Sequence, residues 1–248
     1  MEVRRRRPEG AAPEGKAAPE RWGLLFAGGV TVIYMVVASL ALVGLALLEG
    51  IDLRQIQSLS MGTMLLGDGI GKVFALGAAL GIRALLPREG TGRPAPARGA
   101  AGAGALAGIA FLAVSFGISW VQLLAYGVAG REYKPQEVVL QALGADGSTQ
   151  AFFVIFAVVL APVFEEFLFR GFLFGGLRRW TGPWGAAVLS AAAFAAFHME
   201  IDAMPVLFVL GIALARLRER TGGLVAPMAM HACFNAVQVC GILLARGG

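Results

Sequence analysis

The chain has 248 residues and a formal net charge of +5, with 57% hydrophobic and only 15% charged residues. Its mean hydropathy is +0.72. The charged fraction is low as well, because the surface of a soluble domain carries roughly 25–35% charged side chains. The composition therefore excludes an ordinary soluble globular domain and predicts an integral membrane protein.

The N-terminal segment, residues 1–21, is basic and reads MEVRRRRPEGAAPEGKAAPER. It is rich in Pro, Ala and Gly and carries too few large apolar residues to build a core, which predicts a disordered tail. The apolar run that follows is too long for the apolar region of a signal peptide, so we expect an uncleaved first membrane span.

Apolar segments after the tail predict helices that cross the membrane, since about 20 apolar residues are enough to span the bilayer core. The predicted spans are 24–48, 61–86, 104–129, 151–177, 184–199, 203–215 and 223–245. The predicted fold class is therefore all-α, a polytopic transmembrane bundle of about seven spans. The fifth and sixth spans are short, and we expect them to leave a hydrated recess.

The placement of Lys and Arg predicts the orientation of these spans. Of the 21 basic residues, fifteen lie in the tail and in alternate connections, and four lie on the opposite side. Because positively charged loops stay in the cytoplasm, the N-terminus is predicted to be cytoplasmic.

Polar side chains interrupt the apolar segments at a few positions. A charge at the centre of a membrane helix costs about 3 kcal/mol, so such residues are functional candidates. In the first half, Asp68 and Lys72 are four residues apart and predict a local ion pair with a structural role. The second half carries more of them: Glu165, Glu166, Arg170, His198, His231 and Asn235. The two histidines are the only ones in the protein.

Helical spacing separates the roles of the two adjacent glutamates. Glu166 and Arg170 are four residues apart with the acid first, which favours an ion pair between them. Glu165 points about 100° away around the helix, so it is left without that partner and is the candidate for chemistry.

The turn at Gly182 predicts which groups meet. Glu165 lies 17 residues before Gly182 and His198 lies 16 residues after it, so an antiparallel hairpin brings both to the same depth, within reach of one water molecule. His231 and Asn235 share a face of the last span. Counted from the turn near Gly222, His231 is expected about 10 Å closer to the membrane surface than Glu165.

These motifs resemble those of the CPBP (Abi) intramembrane proteases, which include the type II CAAX prenyl endopeptidases. The family pattern is E-E-x-x-x-R, F-x-x-x-H and H-x-x-x-N/D on successive helices. This chain has EEFLFR at 165–170, FAAFH at 194–198 and HACFN at 231–235. The resemblance covers residues 147–248 as a catalytic membrane domain, and leaves residues 22–146 as N-terminal helices with an outer loop.

The resemblance implies an intramembrane peptidase in the plasma membrane of a prokaryote. Glu165 would be the general base and His198 would hold the attacking water. His231 and Asn235 would form the oxyanion hole, while Glu166 and Arg170 would support the site. The implied partners are a peptide or protein substrate, with or without a lipid modification, and membrane lipids; no nucleic acid is expected.

Alternatives stay open at the level of the sequence. We favour a metal-free mechanism because the chain has no H-E-x-x-H motif, but Glu165, His198 and His231 could hold a zinc ion. A non-catalytic membrane immunity or scaffold protein would keep the same fold. A transporter or proton channel with Glu165 and His198 as a relay is less favoured, because the sequence shows no inverted repeat.

Overall fold

The computed structural model describes residues 21–85, 98–133, 139, 141 and 144–247. In this part of the chain the secondary structure is helical, without a β-strand, which confirms the predicted all-α class. Residues 1–20 of the predicted tail lie outside the described residues.

Three helices build the first half. Helix α1 spans Arg21–Leu48, α2 spans Met61–Leu85 and α3 spans Ala100–Ala129, with a short 3₁₀ helix at Leu53–Ser58. These bounds agree with the first three predicted spans to within a few residues.

Small residues let the helices of the first half approach their neighbours closely. A Cβ added at Gly71 of α2 would lie 2.6 Å from the Cβ of Ala38 on α1. A Cβ at Gly104 of α3 would lie 2.1 Å from the carbonyl oxygen of Ala226. Close backbone approach of this kind is how membrane helices gain packing energy without a hydrophobic drive.

The second half begins with one long helical stretch of changing geometry. It consists of α4 (Gly147–Ile155), a π-helical segment (Phe156–Leu160), α5 (Ala161–Glu165), a second π-helical segment (Glu166–Leu173) and α6 (Phe174–Phe197). Helix α6 breaks at Gly182, which has φ 69° and ψ 178°, and Pro183 follows. Glycine adopts this positive φ without strain and proline donates no backbone hydrogen bond, so the chain turns here as the sequence predicts.

Two further helices complete the bundle: α7 (Met204–Thr221) and α8 (Val225–Gly247). Helix α7 is longer than the predicted span 203–215, because its charged last turn remains helical up to a left-handed Gly222. Helices α6 and α7 pack at Gly211, where an added Cβ would lie 2.8 Å from the Cβ of Ala191.

Five helices of the described chain are long and apolar enough to cross a membrane: Gly23–Leu48, Met61–Ile82, Ala100–Ala129, Gly147–Phe197 and Val225–Leu244. The fourth has 51 residues and contains the break at Gly182. The chain is therefore a helical membrane bundle. The number of seven spans and the cytoplasmic N-terminus stay predictions.

The main buried cluster surrounds the polar residues of the second half. Phe164 and Phe169 contribute from α5 and the second π-helical segment, Phe194 from α6, Leu210 from α7 and Phe234 from α8. The fold thus holds the candidate site between these helices, inside an apolar shell.

Candidate active site

A buried ion pair lies at the base of the site. Arg170 Nη1 is 2.8 Å from Glu166 Oε1, and both side chains have 0% exposure. The guanidinium also donates from Nη2 to the carbonyl oxygen of Gly211, at 3.3 Å, and its Cζ lies 4.3 Å from the ring centroid of Phe194. A buried pair is tolerated only with such additional partners. The predicted pairing of Glu166 with Arg170 is therefore present.

His231 of α8 extends this network towards Glu165. Its Nδ1 lies 3.0 Å from Glu166 Oε1, and its side chain is 3% exposed. An ionised carboxylate can only accept, so Nδ1 carries the hydrogen and donates it to Glu166. The other ring nitrogen, Nε2, faces Glu165 Oε2 at 3.8 Å.

His198 approaches Glu165 from the end of α6. Its Nδ1 lies 2.8 Å from the carbonyl oxygen of Phe194, which again can only accept and so fixes the hydrogen on Nδ1. Its Nε2 is 3.9 Å from Glu165 Oε2, and its side chain is 24% exposed. His198 is thus the more accessible of the two imidazoles.

The backbone that follows His198 is held in an unusual conformation. Met199 has a positive φ of 53°, which is uncommon for a residue other than glycine. Tyr126 of α3 donates to Asp202 Oδ1 at 2.6 Å, and Gln122 donates to the Asp202 carbonyl oxygen at 2.8 Å. Helix α3 therefore fixes the loop that follows His198; strained residues of this kind cluster at active sites.

Glu165 lies between the two imidazoles. It is buried, and its Oε2 makes no hydrogen bond to any described residue. A buried polar atom without a partner is rare and needs an explanation. Distances of 3.8 and 3.9 Å are too long for direct hydrogen bonds. Polar groups at such a separation are candidates for a bridging water molecule.

Asn235 ties α8 to the first π-helical segment. Its Nδ2 donates to the carbonyl oxygen of Ala157 at 2.8 Å. In this segment the N–H of Ala161 bonds to Phe156, five residues back, and by the same pattern Ala157 would pair with residue 162. That residue is Pro162, which has no N–H. Asn235 supplies the missing donor.

The predicted position relative to Glu165 is correct for His198 and wrong for His231. The turn at Gly182 brings Glu165 and His198 together as expected. The prediction that His231 lies about 10 Å closer to the surface is wrong, since its Nε2 is 3.8 Å from Glu165. The count assumed α-helical rise, whereas Glu166–Leu173 is π-helical. A π-helical turn holds more residues, so the chain climbs less per residue, which accounts for part of the difference. The count also assumed that the turns at Gly182 and Gly222 lie at the same level.

Several hydrogen-bond partners in the site cannot be predicted from the sequence. The carbonyl oxygens of Phe194 and Gly211 accept hydrogen bonds from His198 and Arg170, and carbonyl acceptors leave no mark on residue type. The hydrogen bond from Asn235 to Ala157 does have a signal in the sequence. Pro162 lies five residues after Ala157 and has no backbone N–H to donate to its carbonyl oxygen.

The donor set does not fit a zinc ion as the side chains are placed. Two ligands on tetrahedral zinc are separated by about 3.3 Å, given metal–ligand distances near 2.0–2.1 Å. Glu165 Oε2 lies 3.8 and 3.9 Å from the two Nε2 atoms. Among the described residues, no group of three His, Cys, Asp or Glu side chains is arranged to hold a metal.

The part of the chain that contains the site is similar to known proteins. Residues 147–237 match the family model described as "Type II CAAX prenyl endopeptidase Rce1-like". The chain is 26% identical over 136 residues to the "Putative membrane peptidase YdiL" of Bacillus subtilis (strain 168), an alignment that covers 54% of each protein. It is 34% identical over 79 residues to the "Uncharacterized 24.3 kDa protein" of Escherichia coli, covering 29% of this chain and 36% of that protein.

The matched region spans only about half of the Bacillus subtilis protein and about a third of the Escherichia coli protein. No solved structure matches this chain. The family and the first relative support a membrane protease as the kind of function. The three motifs all lie within the matched region, and the predicted resemblance is confirmed there: residues 147–237 match the model of Rce1-like type II CAAX prenyl endopeptidases.

Proposed function

We propose that this protein is an intramembrane endopeptidase in which Glu165 activates water for attack on a peptide bond. The supporting observation is the buried Glu165 Oε2, which makes no hydrogen bond among the described residues and lies 3.8 and 3.9 Å from two imidazole nitrogens. Both Nδ1 atoms are bound to acceptors, so in the neutral rings both Nε2 atoms are free to accept.

A water molecule between these groups has two hydrogens to donate. One goes to Glu165 and the other to His198 Nε2, which points the oxygen lone pairs at a substrate carbonyl. The water oxygen bonds to the carbonyl carbon, its proton moves to Glu165, and the carbonyl π electrons move to the oxygen. When that tetrahedral intermediate collapses, the C–N bond breaks and Glu165 returns the proton to the leaving amine.

His231 and Asn235 supply the stabilising charge and donors. With Nδ1–H held by Glu166, the imidazole of His231 is fixed with Nε2 towards Glu165, and in the imidazolium form of the ring Nε2–H donates to the developing oxyanion. The amide of Asn235 has two N–H groups, of which one is bound to Ala157 and the second remains for an oxyanion. Glu166 and Arg170 hold this arrangement in place.

The resemblance and the membrane setting suggest the substrate class. We propose a peptide bond near the C-terminus or in a membrane-proximal part of a protein, with or without a prenyl group. Residues 147–248 would be the catalytic domain and residues 22–146 its membrane support, in the plasma membrane of a prokaryote. The mechanism uses no metal, and a zinc-dependent enzyme is the alternative that experiment must separate.

Peptide cleavage by the purified protein in detergent tests this proposal. A mixed library that includes prenylated C-terminal peptides would be followed by mass spectrometry, with the Glu165→Gln variant beside the wild type. Glu132→Gln, at an exposed position before the second half, is the matched control. We expect cleavage by wild type and control, with and without a chelator, and none by Glu165→Gln.

Two other results would change the assignment. Loss of cleavage with the chelator would make the protein a metalloenzyme. A cellular phenotype that survives Glu165→Gln in full would contradict catalysis and support a non-catalytic scaffold.

A further inference from the structure

A second polar cluster lies beside the site, on helices outside the matched region. Tyr34 of α1 donates its hydroxyl to Asp68 Oδ1, and Lys72 Nζ of α2 lies 2.5 Å from Asp68 Oδ2. Lys72 is 5% exposed. Its ammonium lies 5.0 Å from the ring centroid of Tyr34, 4.8 Å from that of Phe156 and 5.8 Å from that of Phe164.

In this cluster the charge of Lys72 is compensated by that of Asp68. Both carboxylate oxygens of Asp68 accept a hydrogen bond, and the aromatic faces around Lys72 favour a cation. Close packing of α1 and α2 is already provided at Gly71. Since ionisable groups within a membrane are costly, their presence here calls for a role beyond helix packing.

The ring of Tyr34 connects the cluster to both sides of the site. Its centroid lies 5.2 Å from that of Phe164 and 6.0 Å from that of Phe197. Phe164 directly precedes Glu165, and Phe197 directly precedes His198. Tyr34 therefore packs against both helical segments that carry the two groups proposed to bind the water.

We propose that Tyr34, fixed by Asp68 and Lys72, is a positioning residue that sets the separation of Glu165 and His198. The activity part of this inference rests on the proposed function. The role assigned to Tyr34 is indirect: its hydroxyl bond to Asp68 locks the plane of a ring against which Phe164 and Phe197 pack. Catalysis is sensitive to displacements of the order of 1 Å, so release of that ring should weaken the water site.

Nitrogen NMR of the two histidines tests the positioning without any substrate. The protein contains only His198 and His231, so selective ¹⁵N-histidine labelling reports on the two imidazoles of the site and nothing else. Tyr34→Phe keeps the ring and removes the hydroxyl. Ser58→Ala also removes a hydroxyl, at an exposed position where it bonds only to Gln55 of its own 3₁₀ helix, and serves as the control.

We expect Tyr34→Phe to shift or broaden imidazole ¹⁵N signals in a protein that still unfolds cooperatively, and Ser58→Ala to leave them as in the wild type. Wild-type imidazole signals in a folded Tyr34→Phe protein would overturn the proposal. If that variant does not fold, the double variant Asp68→Asn with Lys72→Met, which removes the pair as a unit, is judged by the same criterion.

Kinetics then separate positioning from binding. On any peptide that the wild type cleaves, Tyr34→Phe should lower kcat by roughly 5-fold to 100-fold, with KM within about 2-fold of wild type. An unchanged kcat would overturn the proposal. A wild type that cleaves no peptide would count against the proposed peptidase function, while the NMR comparison would still decide whether Tyr34 positions the two groups.

Discussion

Glu165 Oε2 and His198 Nε2 lie 3.9 Å apart, although they belong to segments on opposite sides of the helix break at Gly182. The separation is too long for a hydrogen bond, and the proposed mechanism places one water molecule between the two groups. Replacement of His198 by Gln keeps a polar side chain but removes the ring nitrogen Nε2, which is proposed to accept a hydrogen bond from the water. We expect kcat to fall about 10²-fold to 10⁴-fold, measured on a cleaved peptide in detergent. A wild-type kcat in folded His198→Gln would show that His198 does not hold the water.

We expect the loss of one partner of the Glu166–Arg170 pair to destabilise the fold strongly, and the replacement of both partners together to be tolerated better. Arg170→Met leaves the fully buried Glu166 carboxylate without its cation, which costs about 3–5 kcal/mol. The double variant Glu166→Gln with Arg170→Met removes both charges and should recover part of the lost stability. Thermal unfolding in detergent measures both. Equal destabilisation of the single and double variants would contradict the pairing argument.

Asn235 and Pro162 should be coupled through Ala157. Asn235→Ala leaves the Ala157 carbonyl without a donor, which costs about 1–3 kcal/mol. In a Pro162→Ala background the backbone N–H of residue 162 returns and can pair with Ala157. We therefore expect the cost of Asn235→Ala to be smaller there, as determined by a double-mutant cycle of unfolding free energies. Additive effects would refute the shared acceptor.

Two glycines in α3 should respond in opposite ways to the same substitution. A Cβ at Gly104 would lie 2.1 Å from the carbonyl oxygen of Ala226 on α8, whereas a Cβ at Gly102 meets nothing within 4 Å. Gly104→Ala should destabilise by about 1–3 kcal/mol as α3 and α8 move apart. Gly102→Ala should be neutral or stabilising by up to about 1 kcal/mol, as alanine favours helix. Unfolding temperatures in detergent would show this, and an unchanged unfolding temperature of Gly104→Ala would contradict the close packing of α3 against α8.

The sequence predicts the parts of this site that follow from regular geometry. The i, i+4 spacing of Glu166 and Arg170 identifies their ion pair, and the turn at Gly182 places Glu165 opposite His198. The pairing of Asp68 with Lys72 follows in the same way and is present.

The remaining parts depend on irregular backbone and on neighbours far away in sequence. The depth of His231 could not be counted, because it depends on the levels of the turns at Gly182 and Gly222 as well as on the smaller rise of the π-helical segment Glu166–Leu173. The contacts of Tyr34 with Phe164 and Phe197 join α1 to the second half of the chain, and aromatic residues are too frequent in a membrane helix to signal such a contact.

The most direct test of the account is a comparison of binding and turnover in Glu165→Gln. With a peptide that the wild type cleaves, Kd would be measured by fluorescence anisotropy and single-turnover cleavage by mass spectrometry. The account predicts a Kd close to that of the wild type and cleavage at least about 10³-fold slower, because the amide binds the same groups but cannot take a proton from water. Cleavage by Glu165→Gln at the wild-type rate would contradict the central role of Glu165.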